Sequence, residues 1–406
     1  MENPKIRFKG FTKDWEQRKL GEIATETYGG GTPKTSNEEF WKGDIPWIQS
    51  SDLIDECLFD VRPRKCISQE AVSKSATKLV PQNSIAIVTR VGVGKLAFMP
   101  FSYATSQDFL SLSGLKIDPE FTVYALYKMM QSVSNEVQGT SIKGVTKDEL
   151  LAKKIIFPSC NEQKKIGAYL HSLDTLITLH QRKCEQTKKL KKYMLQKMFP
   201  QNGAKVPEIR FDGFTYDWEQ RKLIDYLEVS SEKNRDNRFT KEDVLSVSGE
   251  YGIVNQIEFQ GRSFAGASVS NYGVVENGDV VYTKSPLKSN PYGIIKTNKG
   301  IPGIVSTLYA VYKPKEITDS KFVQIYFELD SRMNSYMHPL VNKGAKNDMK
   351  VSAENALKGM VSFPKKDEQE MISLYFSTID HLITLHQRKC DELKKMKKYM
   401  LQNMFI

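Results

Sequence analysis

Two glycine-rich segments of the chain resemble phosphate-binding loops at first sight. The first runs from Tyr28 to Pro33 (YGGGTP) and the second from Arg90 to Lys95 (RVGVGK). A phosphate-binding P-loop requires two glycines at a fixed spacing, then Lys, then Ser or Thr. The second segment lacks the first glycine at that spacing and has Leu96 after the lysine. Neither segment is therefore predicted to bind a nucleotide.

The other residues that could support catalysis show no arrangement typical of an active site. Ser289–Gly293 (SNPYG) is similar to the Asn-Pro-Pro-Tyr of adenine methyltransferases, but one Pro is missing and no glycine-rich cofactor loop precedes it, so a turn is the favoured interpretation. The histidines show no metal-ligand spacing, and no Ser/His/Asp or Cys/His arrangement can be assembled. These observations favour a binding subunit over an enzyme, with no catalytic residue, metal or cofactor of its own.

Basic loops remain as candidates for function. In each loop Lys or Arg stands with Ser, Thr, Gln or Asn near glycine, and this combination suits DNA: cations hold phosphates, while amides and guanidiniums read base edges. For any single residue, solvated surface is the alternative. The candidate DNA-binding residues are Thr32, Lys34, Ser50, Arg90, Lys95, Gln107 and Lys143 in the first half, and Lys284, Ser285, Lys288, Asn290, Lys343 and Lys346 in the second.

The composition sets limits on the class of protein. A chain of 406 residues is too long for one core, so several domains are expected. The net charge of +11 raises the expectation of nucleic acid or another polyanion as partner. The cysteines are odd in number and form no CxxC, which favours a reduced, cytosolic protein. No signal sequence and no apolar run of about 18 residues is present, so neither export nor a membrane span is expected.

The chain contains an internal duplication. IRFKGFTKDWEQRKL (Ile6–Leu20) recurs as IRFDGFTYDWEQRKL (Ile209–Leu223), and the stretch Glu162–Phe199 recurs as Glu368–Phe405. Within the second repeat pair, LITLHQRKC and KKYMLQ are identical in both copies. The chain therefore consists of two tandem repeats, and each repeat contains a start motif, a body of about 130 residues and a long helix.

The duplicated stretch has the apolar spacing of a long helix that packs against another helix. At 1.5 Å per residue each copy would span roughly 57 Å, and the obvious partner of each copy is the other. The predicted seam consists of Ile166, Leu170, Leu173, Ile177, Cys184, Thr187, Leu190, Met194 and Met198, and of Ile372, Phe376, Ile379, Ile383, Cys390, Leu393, Met396, Met400 and Met404.

The two bodies have diverged and read as compact α+β domains. Strands are predicted at Ser84–Thr89, Val280–Thr283 and Ile304–Tyr312, helices near Thr122–Val133 and Ser320–Met333, and a helix-capping box at Thr146 and Glu149. The predicted domains are a start motif (1–24), a first variable domain (25–154), a central helix region (155–200), a second start motif (201–227), a second variable domain (228–361) and a C-terminal helix (362–406).

Polar residues in the duplicated helices are identical although packing does not require it. The stretch HQRK places His180, Gln181 and Arg182 in the first helix and His386, Gln387 and Arg388 in the second. Recent duplication is one explanation, but the bodies have had time to diverge. The favoured interpretation is a surface that meets the same partner twice, around a pseudo-twofold axis. The runs KKLKK (Lys188–Lys192) and KKMKK (Lys394–Lys398) could be solvated faces, partner contacts or a track for DNA phosphates.

This layout resembles the specificity subunit of type I restriction–modification systems over essentially the full length. The resemblance is carried by Gly30–Leu53, the Thr89–Lys95 loop, Thr105–Gln107 and Ile155–Ile177. The duplicated start motifs and long helices, which we call the frame, add to it. The second body departs from it, because it has no counterpart of GGTP…IPWI. That departure leaves the contact residues of the second half less well defined.

The resemblance implies two α/β target-recognition domains joined by two long antiparallel helices in a coiled coil. Each domain would read one half of a split double-stranded DNA target. Two methyltransferase (M) subunits would dock on the repeated frame, and two restriction/translocase (R) subunits would join them. S-adenosylmethionine, ATP and Mg²⁺ would then belong to the partners. Two alternatives stay open at this point: a scaffold that bridges two identical proteins without binding DNA, and a stand-alone DNA enzyme.

Overall fold

The computed structural model describes residues 4–138, 144–201, 203–284, 290–341 and 351–406. The chain folds as two compact units. Unit 1 consists of Met1–Gln181 with Arg388–Ile406, and unit 2 consists of Arg182–Gln387. Each unit is therefore completed by a piece of the long helix that belongs to the other repeat.

The first repeat forms an α+β arrangement. Its strands are β1 (Glu16–Lys19), β2 (Ala24–Gly29), β3 (Ile45–Ile48), β4 (Lys65–Ile67), β5 (Ser84–Val88), β6 (Leu96–Met99), β7 (Ala104–Thr105), β8 (Phe109–Leu115) and β9 (Lys154–Phe157). Its helices are α1 (Gln69–Lys74), α2 (Pro119–Gln138), α3 (Lys147–Ala152) and the long α4 (Cys160–Lys197), with 3-10 turns at Leu20–Glu22, Glu38–Trp41 and Ser50–Asp52.

The main sheet of unit 1 has the antiparallel strand order β2-β8-β5-β6. Its strand β5 is buried on both faces, between the core under α2 and a smaller core, which explains its continuous apolar sequence. A second sheet has the order β4-β3-β7, and β1 pairs with β9. The predicted capping box is confirmed, because Thr146 Oγ1 accepts from the backbone N–H of Glu149 while the Glu149 carboxylate accepts from the N–H of Thr146.

The second repeat has the same order of elements around a different body. Its strands are β10 (Glu219–Lys222), β11 (Leu227–Val229), β12 (Leu245–Ser248), β13 (Gly252–Asn255), β14 (Gly273–Val275), β15 (Val280–Thr283), β16 (Ile295–Thr297), β17 (Gly303–Val305), β18 (Tyr309–Pro314) and β19 (Met360–Phe363). Its helices are α5 (Gln256–Gln260), α6 (Ser320–Tyr326), α7 (Asp330–Met337), α8 (Ala353–Ala356) and the long α9 (Lys366–Asn403), with 3-10 turns at Leu223–Asp225, Lys241–Asp243 and His338–Leu340.

The main sheet of unit 2, with order β11-β18-β15-β16, repeats the topology of the main sheet of unit 1. The predicted strand Val280–Thr283 is confirmed. The single strand predicted at Ile304–Tyr312 is wrong, because a turn closed by Tyr309 N–H and Ser306 C=O separates β17 from β18, and these strands belong to different sheets. The helix predicted at Ser320–Met333 is also two helices, because the extended backbone of Leu329 interrupts it.

The start motif of each repeat clamps the first turns of its long helix. In unit 1 the Arg7 guanidinium donates from two nitrogens to the two carboxylate oxygens of Glu162, at 2.7 and 2.9 Å. The carboxylate of Glu162 is almost completely buried, with 1% of its side chain exposed. Unit 2 repeats this pair with Arg210 and Glu368, both bonds being 2.8 Å. The duplicated IRF sequence therefore has a structural role.

The tryptophan of each start motif packs in an aromatic cluster. Trp15 lies edge-on to Phe121 and to Phe405, with ring centroids 6.0 and 6.5 Å apart. In unit 2 the corresponding cluster is formed by Trp218, Phe322 and Phe199. Phe405 and Phe199 follow the ends of α9 and α4, so each core contains the helix end of the other repeat.

The long helices pair antiparallel. In unit 2, Cys184 of α4 contacts Gln387 of α9, Lys191 contacts Asp380, and Phe199 contacts Phe376, so the α9 number falls as the α4 number rises. This order confirms the predicted antiparallel pairing within that unit. The predicted seam is buried or half-buried at every position except two.

The prediction is wrong at Leu190 and Met396, which are 46% and 44% exposed. The next residues, Lys191 and Lys397, turn inward instead. A straight α-helix has 3.6 residues per turn, so the buried face drifts away from a strict heptad spacing. The inward lysines are also held by carboxylates, Asp380 and Asp174 respectively. Lys191 and Lys397 are therefore not solvated, unlike the other lysines of the runs KKLKK and KKMKK.

Within the described residues, no helix is both long enough and apolar enough to cross a membrane. In the same part of the chain, no cluster of three or more His, Cys, Asp or Glu is arranged to hold a metal ion.

Replacing Arg7 with Ala is expected to lower the free energy of unfolding by about 3–5 kcal/mol, because it leaves the Glu162 carboxylate buried without its cation. Urea unfolding monitored by circular dichroism measures this change. The matched control is Arg18→Ala, which breaks the exposed pair with Glu16 and is expected to cost at most about 1 kcal/mol. Equal effects of the two substitutions would contradict the clamp.

Candidate nucleic-acid interface

The Gly30–Pro33 segment of unit 1 is held in place by close backbone packing. The N–H of Gly31 donates to Thr105 C=O at 2.8 Å, and the Gly31 carbonyl accepts from Trp47 Nε1 at 3.0 Å and from Thr77 Oγ1 at 2.9 Å. A Cβ on Gly30 would lie 1.8 Å from the carbonyl oxygen of Ser106. The glycines are therefore required by packing, in agreement with the rejection of a phosphate loop.

This packing brings two predicted residues together. Thr32 Oγ1 donates to Gln107 Oε1 at 3.3 Å, and both residues are exposed. Lys34 is also exposed, and its carbonyl accepts from the indole N–H of Trp41 at 3.4 Å. Within the described residues the Lys34 ammonium makes no hydrogen bond or ion pair. The backbone of Lys34 is thus fixed while its charge faces solvent.

The Arg90–Lys95 loop begins beside the same place. Thr89 donates to the carbonyl of Asp108 from both its N–H, at 2.7 Å, and its Oγ1, at 3.0 Å, which anchors the start of the loop next to Gln107. Gly92 and Gly94 have φ values of +94° and +107°, a conformation that favours glycine. Arg90 is exposed, and in the described part of the chain its guanidinium makes no hydrogen bond or ion pair.

Lys95 has a different environment from Arg90. Its Nζ donates to the carbonyl of Leu53 at 3.1 Å and lies 3.7 Å from a carboxylate oxygen of Asp55. These bonds tie the loop to the segment that follows β3, where Ser50 is half-buried. The Cβ of Ser50 lies 3.8 Å from the position that a Cβ on Gly92 would occupy. Lys95 therefore positions the loop, whereas Arg90 keeps its guanidinium unpaired among the described residues.

Thr32, Lys34, Ser50, Arg90 and Gln107 form what we call the first polar cluster. It offers a guanidinium, an amide, two hydroxyls and an ammonium on loops fixed by backbone hydrogen bonds. Such a set can donate to phosphate oxygens and to the acceptors at base edges.

In unit 2, a different set of residues lies at the end of β15, the strand equivalent to β5 of unit 1. Lys284 follows β15, its N–H donates to Leu308 C=O at 3.1 Å, and its side chain is half-buried. Burial lowers the pKa of Lys284, and the positive charge of Lys233 lowers it further. The proximity of Lys233 was not predicted from the sequence. The polar sequence around Lys233 (SSEKNRDNR) was the available signal. The contact of Lys233 with β14 could not be derived from that sequence.

Asn290 begins the next described segment of unit 2. Its carbonyl accepts from the N–H of Gly293 at 3.0 Å, and within the described residues its buried Oδ1 has no hydrogen-bond partner. A Cβ on Gly293, whose φ is +81°, would lie 1.9 Å from the carbonyl of Thr283, so this turn requires glycine. Five further predicted residues lie outside the described residues: Lys143, Ser285, Lys288, Lys343 and Lys346.

The predicted partner residues lie in the middle of the long helices. Gln181, Arg182 and Arg388 are exposed, and His180 and His386 are half-buried. Gln387 is exposed, but its amide oxygen lies 3.8 Å from the sulfur of Cys184 within the helix pair. The structure thus leaves most of these side chains accessible.

The sequence interpretation missed a set of exposed apolar residues on the same helices. They occupy equivalent positions in both copies and are each between 40% and 55% exposed. Their heptad-like spacing, repeated in both copies, was the signal that could have identified them. We call them the apolar stripe: Leu176, Leu179, Leu190 and Tyr193 of α4, and Leu382, Leu385, Met396 and Tyr399 of α9.

Comparison with known proteins agrees with this architecture. Residues 12–189 match the family described as the type I restriction modification DNA specificity domain. The type I restriction enzyme MjaIX specificity subunit of Methanocaldococcus jannaschii is 30% identical over 245 residues, which cover 56% of this chain and 54% of that protein. The EcoR124I/EcoR124II specificity subunit of Escherichia coli is 34% identical over 182 residues, covering 42% and 43%. The chain thus spans about half the length of these relatives.

Solved structures extend the likeness to the whole fold. A type I restriction–modification system S subunit from M. genitalium matches with a TM-score of 0.63 and 15% identity, covering 100% of this chain and 99% of that one. A chain from a structural study of assembly and conformational transition of the type I R-M system matches with a TM-score of 0.51 and 15% identity, covering 97% and 98%.

These matches confirm the predicted α+β fold of two domains with long helices. The chain has the architecture of a type I S subunit. Its residues 12–189 match the type I restriction modification DNA specificity domain family, and the resemblance inferred from the sequence is confirmed. The relatives are specificity subunits, in agreement with the prediction of a non-catalytic subunit.

Replacing Arg90 with Ala is expected to weaken specific DNA binding or relax recognition at one base position by about 1–3 kcal/mol, because a free guanidinium is lost. A fluorescence titration with target DNA, using the assembled complex, measures this change. Its stability should stay within about 0.5 kcal/mol of the parent, since the exposed Arg90 side chain makes no hydrogen bond or ion pair in the part of the chain that the structure describes. Arg62→Ala, which removes another exposed arginine of unit 1, is the matched control. Equal DNA affinities of the two variants would remove Arg90 from the interface.

Proposed function

We propose that this chain is the DNA-specificity subunit of a type I restriction–modification complex. Each variable domain reads one half of a bipartite, asymmetric DNA target, while the duplicated helices space the domains and dock the methyltransferase subunits. The proposal rests on one observation: the two units share the same frame but present different residues at the ends of equivalent strands. The clamps and aromatic clusters are equivalent in the two units, whereas the ends of the equivalent strands β5 and β15 present different residues.

The residues after β5 and β15 support two distinct readers. In unit 1 the strand leads to the exposed Arg90, beside the hydroxyl of Thr32 and the amide of Gln107. In unit 2 it leads to Lys284, with Lys233 near it. A guanidinium can bind a guanine edge with two hydrogen bonds, while lysine acts as a point charge. Different donor sets recognise different bases, so the two half-sites differ.

The positive charge of the chain supports DNA as the ligand. The net charge of +11 gives a long-range attraction to phosphates, and the exposed ammonium of Lys34 lies near the polar pair Thr32–Gln107. Phosphate contacts fix the register of a protein on the duplex, and base contacts supply the sequence preference. Specific binding is therefore expected to weaken as salt increases.

The apolar stripe supports docking of a partner protein. Leu179 and Leu385 are half-exposed at equivalent positions next to the invariant HQRK stretch. Apolar side chains that recur on one face and do not enter the core mark protein interaction surfaces. Because both copies carry the same stripe, the same partner binds twice, and we assign these surfaces to two methyltransferase subunits.

The chemistry of the complex belongs to those partners. Methyltransferase and restriction/translocase subunits would hold S-adenosylmethionine, ATP and Mg²⁺, and would methylate adenine at N6 in each half-site or cleave unmodified DNA at a distance. This chain supplies recognition and geometry. The complex would work in the cytoplasm, where it meets foreign DNA.

A scaffold that bridges two partner proteins without binding DNA is the second candidate, and the apolar stripe alone would be compatible with it. A gel shift of the assembled complex separates the two functions. DNA binding that weakens steeply with salt supports the specificity subunit, whereas no binding at low salt supports the scaffold.

Exchanging residues 25–150 for the corresponding domain of another specificity subunit is expected to change one half-site and leave the other intact, because the readers of the two half-sites lie in different units. Sequencing of methylated adenines in cells that carry each variant measures both half-sites. The reciprocal exchange of residues 228–359 is the control and should change only the other half-site. A change in both half-sites after a single exchange would contradict two independent readers.

Replacing Leu179 with Asp is expected to weaken one methyltransferase docking surface by at least about tenfold, because a charge replaces buried apolar area. Combining it with Leu385→Asp should remove both surfaces. Mass photometry of mixtures with the methyltransferase subunit measures the stoichiometry. We expect two bound copies for the parent, one for the single variant and none for the double variant. Thr178→Asp, at an exposed position on a different face of α4, is the matched control. Unchanged stoichiometry in the double variant would exclude the stripe as the docking surface.

A further inference from the structure

Two lysines are buried beside the apolar seam of the long helices, where the helices also contact the variable domains. The side chains of Lys191 and Lys397 are 12% and 8% exposed, whereas their neighbours Lys192 and Lys398 are exposed. Lysine is almost never buried in this way unless it is paired. Since leucine or methionine would fill the same space without desolvating a charge, the buried lysines need an explanation beyond packing.

Each buried lysine pairs with an aspartate of the opposite helix. In unit 2, Lys191 Nζ lies 2.6 Å from Asp380 Oδ1 and 2.5 Å from a carboxylate oxygen of Glu328. In unit 1, Lys397 Nζ lies 2.5 Å from Asp174 Oδ1. Burial lowers the pKa of Lys191, but the carboxylates of Glu328 and Asp380 outweigh this effect and raise it. The ammonium group therefore stays charged.

The two ion pairs are images of each other. Asp380 lies 206 residues after Asp174, and Lys397 lies 206 residues after Lys191. In one unit the lysine comes from α4 and the aspartate from α9, and in the other the roles of the helices are exchanged. We call these two pairs the seam ion pairs.

The seam ion pairs distinguish the observed register from its alternatives. If one helix slid by a heptad, Lys397 would face Gly167 or Gln181, and Lys191 would face Ser373 or Gln387. No carboxylate stands three, four or seven residues to either side of Asp174 or Asp380. Every nearby register therefore leaves both lysines without an aspartate of the opposite helix.

The surrounding apolar positions distinguish the registers poorly. Leucine, isoleucine and methionine recur along both helices and can replace one another at similar volume with little cost. A buried charge without its partner is strongly destabilising, whereas an apolar residue in its place is often neutral or stabilising. Buried polar groups in coiled coils act in this way, by excluding wrong registers at some cost in stability.

We propose that Lys191–Asp380 and Asp174–Lys397 are positioning residues that specify the register of the two long helices. The apolar seam supplies the association of the helices, and the seam ion pairs select one alignment from several of similar packing. The consequence for the length of DNA between the half-sites rests on the proposed function, but the register itself can be tested without DNA.

A native cysteine provides the register reporter. Cys184 Sγ lies 3.8 Å from the side-chain oxygen of Gln387, so Gln387→Cys places a second thiol opposite Cys184 in the observed register. Lys394→Cys, in a separate variant of the full chain, places a thiol opposite Cys184 only after a one-heptad slip. Mild oxidation followed by mass spectrometry of the disulfide-linked peptides measures the two yields.

The test compares the parent with a variant that has no seam ion pairs. Each of these two chains is prepared twice, once with Gln387→Cys and once with Lys394→Cys. The variant without pairs carries K191M, D380N, E328Q, K397M and D174N. The matched control, K192M with K398M, removes two lysines from the exposed side of the same runs.

In the parent, the disulfide of the observed register should exceed the slipped one by at least about 100-fold, since a slip would separate both lysines from the aspartates of the opposite helix. In the variant without pairs this ratio should fall by at least about tenfold, while its melting temperature stays equal or rises. The control should keep the parent ratio. An unchanged ratio in the variant without pairs would overturn the proposal and assign the register to the domain cores.

A second comparison remains informative if the multiple variant does not fold. In a Glu328→Gln background, Lys191→Asp places two aspartates together, and adding Asp380→Lys restores an opposite pair. Recovery of the disulfide ratio in the exchanged pair supports the proposal, and equal ratios in the two variants contradict it. The length of the gap between methylated half-sites is read separately by methylome sequencing. A changed register with an unchanged gap would refute the helices as spacers while leaving the register inference intact.

Discussion

The structure depends on one constraint: a helix of 38 residues with an apolar seam cannot bury that seam on itself. The duplicated chain supplies two such helices, and each buries its seam against the other. Because they run antiparallel, the end of each helix enters the unit formed by the other repeat, where Phe405 packs on Trp15 and Phe199 on Trp218. Neither repeat therefore has a complete core without a segment of the other, and this dependence keeps the frame unchanged while the variable domains diverge.

The two kinds of surface obey different physical requirements. Residues of the frame are fixed by burial: the carboxylates of Glu162 and Glu368 are almost inaccessible and each must keep its arginine. The loop after β5 is fixed by backbone hydrogen bonds, so its side chains are free to change. Thr89, for example, anchors its loop through its own N–H and hydroxyl, while the guanidinium of Arg90 next to it makes no hydrogen bond or ion pair within the described residues. A frame built in this way tolerates new recognition residues without loss of stability.

The sequence predicted the elements that follow from periodicity and repetition. The long helices, β15 and the capping box at Thr146 could be derived because each depends on a local pattern. The separation of β17 from β18 could not, because the turn at Ser306 lies inside an apolar run that reads as one strand. The same limit applies to the site. The segments around Gly30 and Arg90 were identified by composition, but the structural role of Lys95 depends on Leu53 and Asp55, which only the fold brings near.

The buried lysines show most clearly where periodicity stops being informative. A lysine between Leu190 and Lys192, in a run of basic residues, has every local feature of a solvated position. Its burial becomes evident only when Asp380 is known to lie opposite, 2.6 Å away, on a helix 189 residues further along the chain. Duplication offers a partial remedy. An aspartate and a lysine are retained at the same spacing in both repeats, while Leu170 and Leu190 are replaced by Phe376 and Met396. This retention indicates a pairing that apolar packing alone would not preserve.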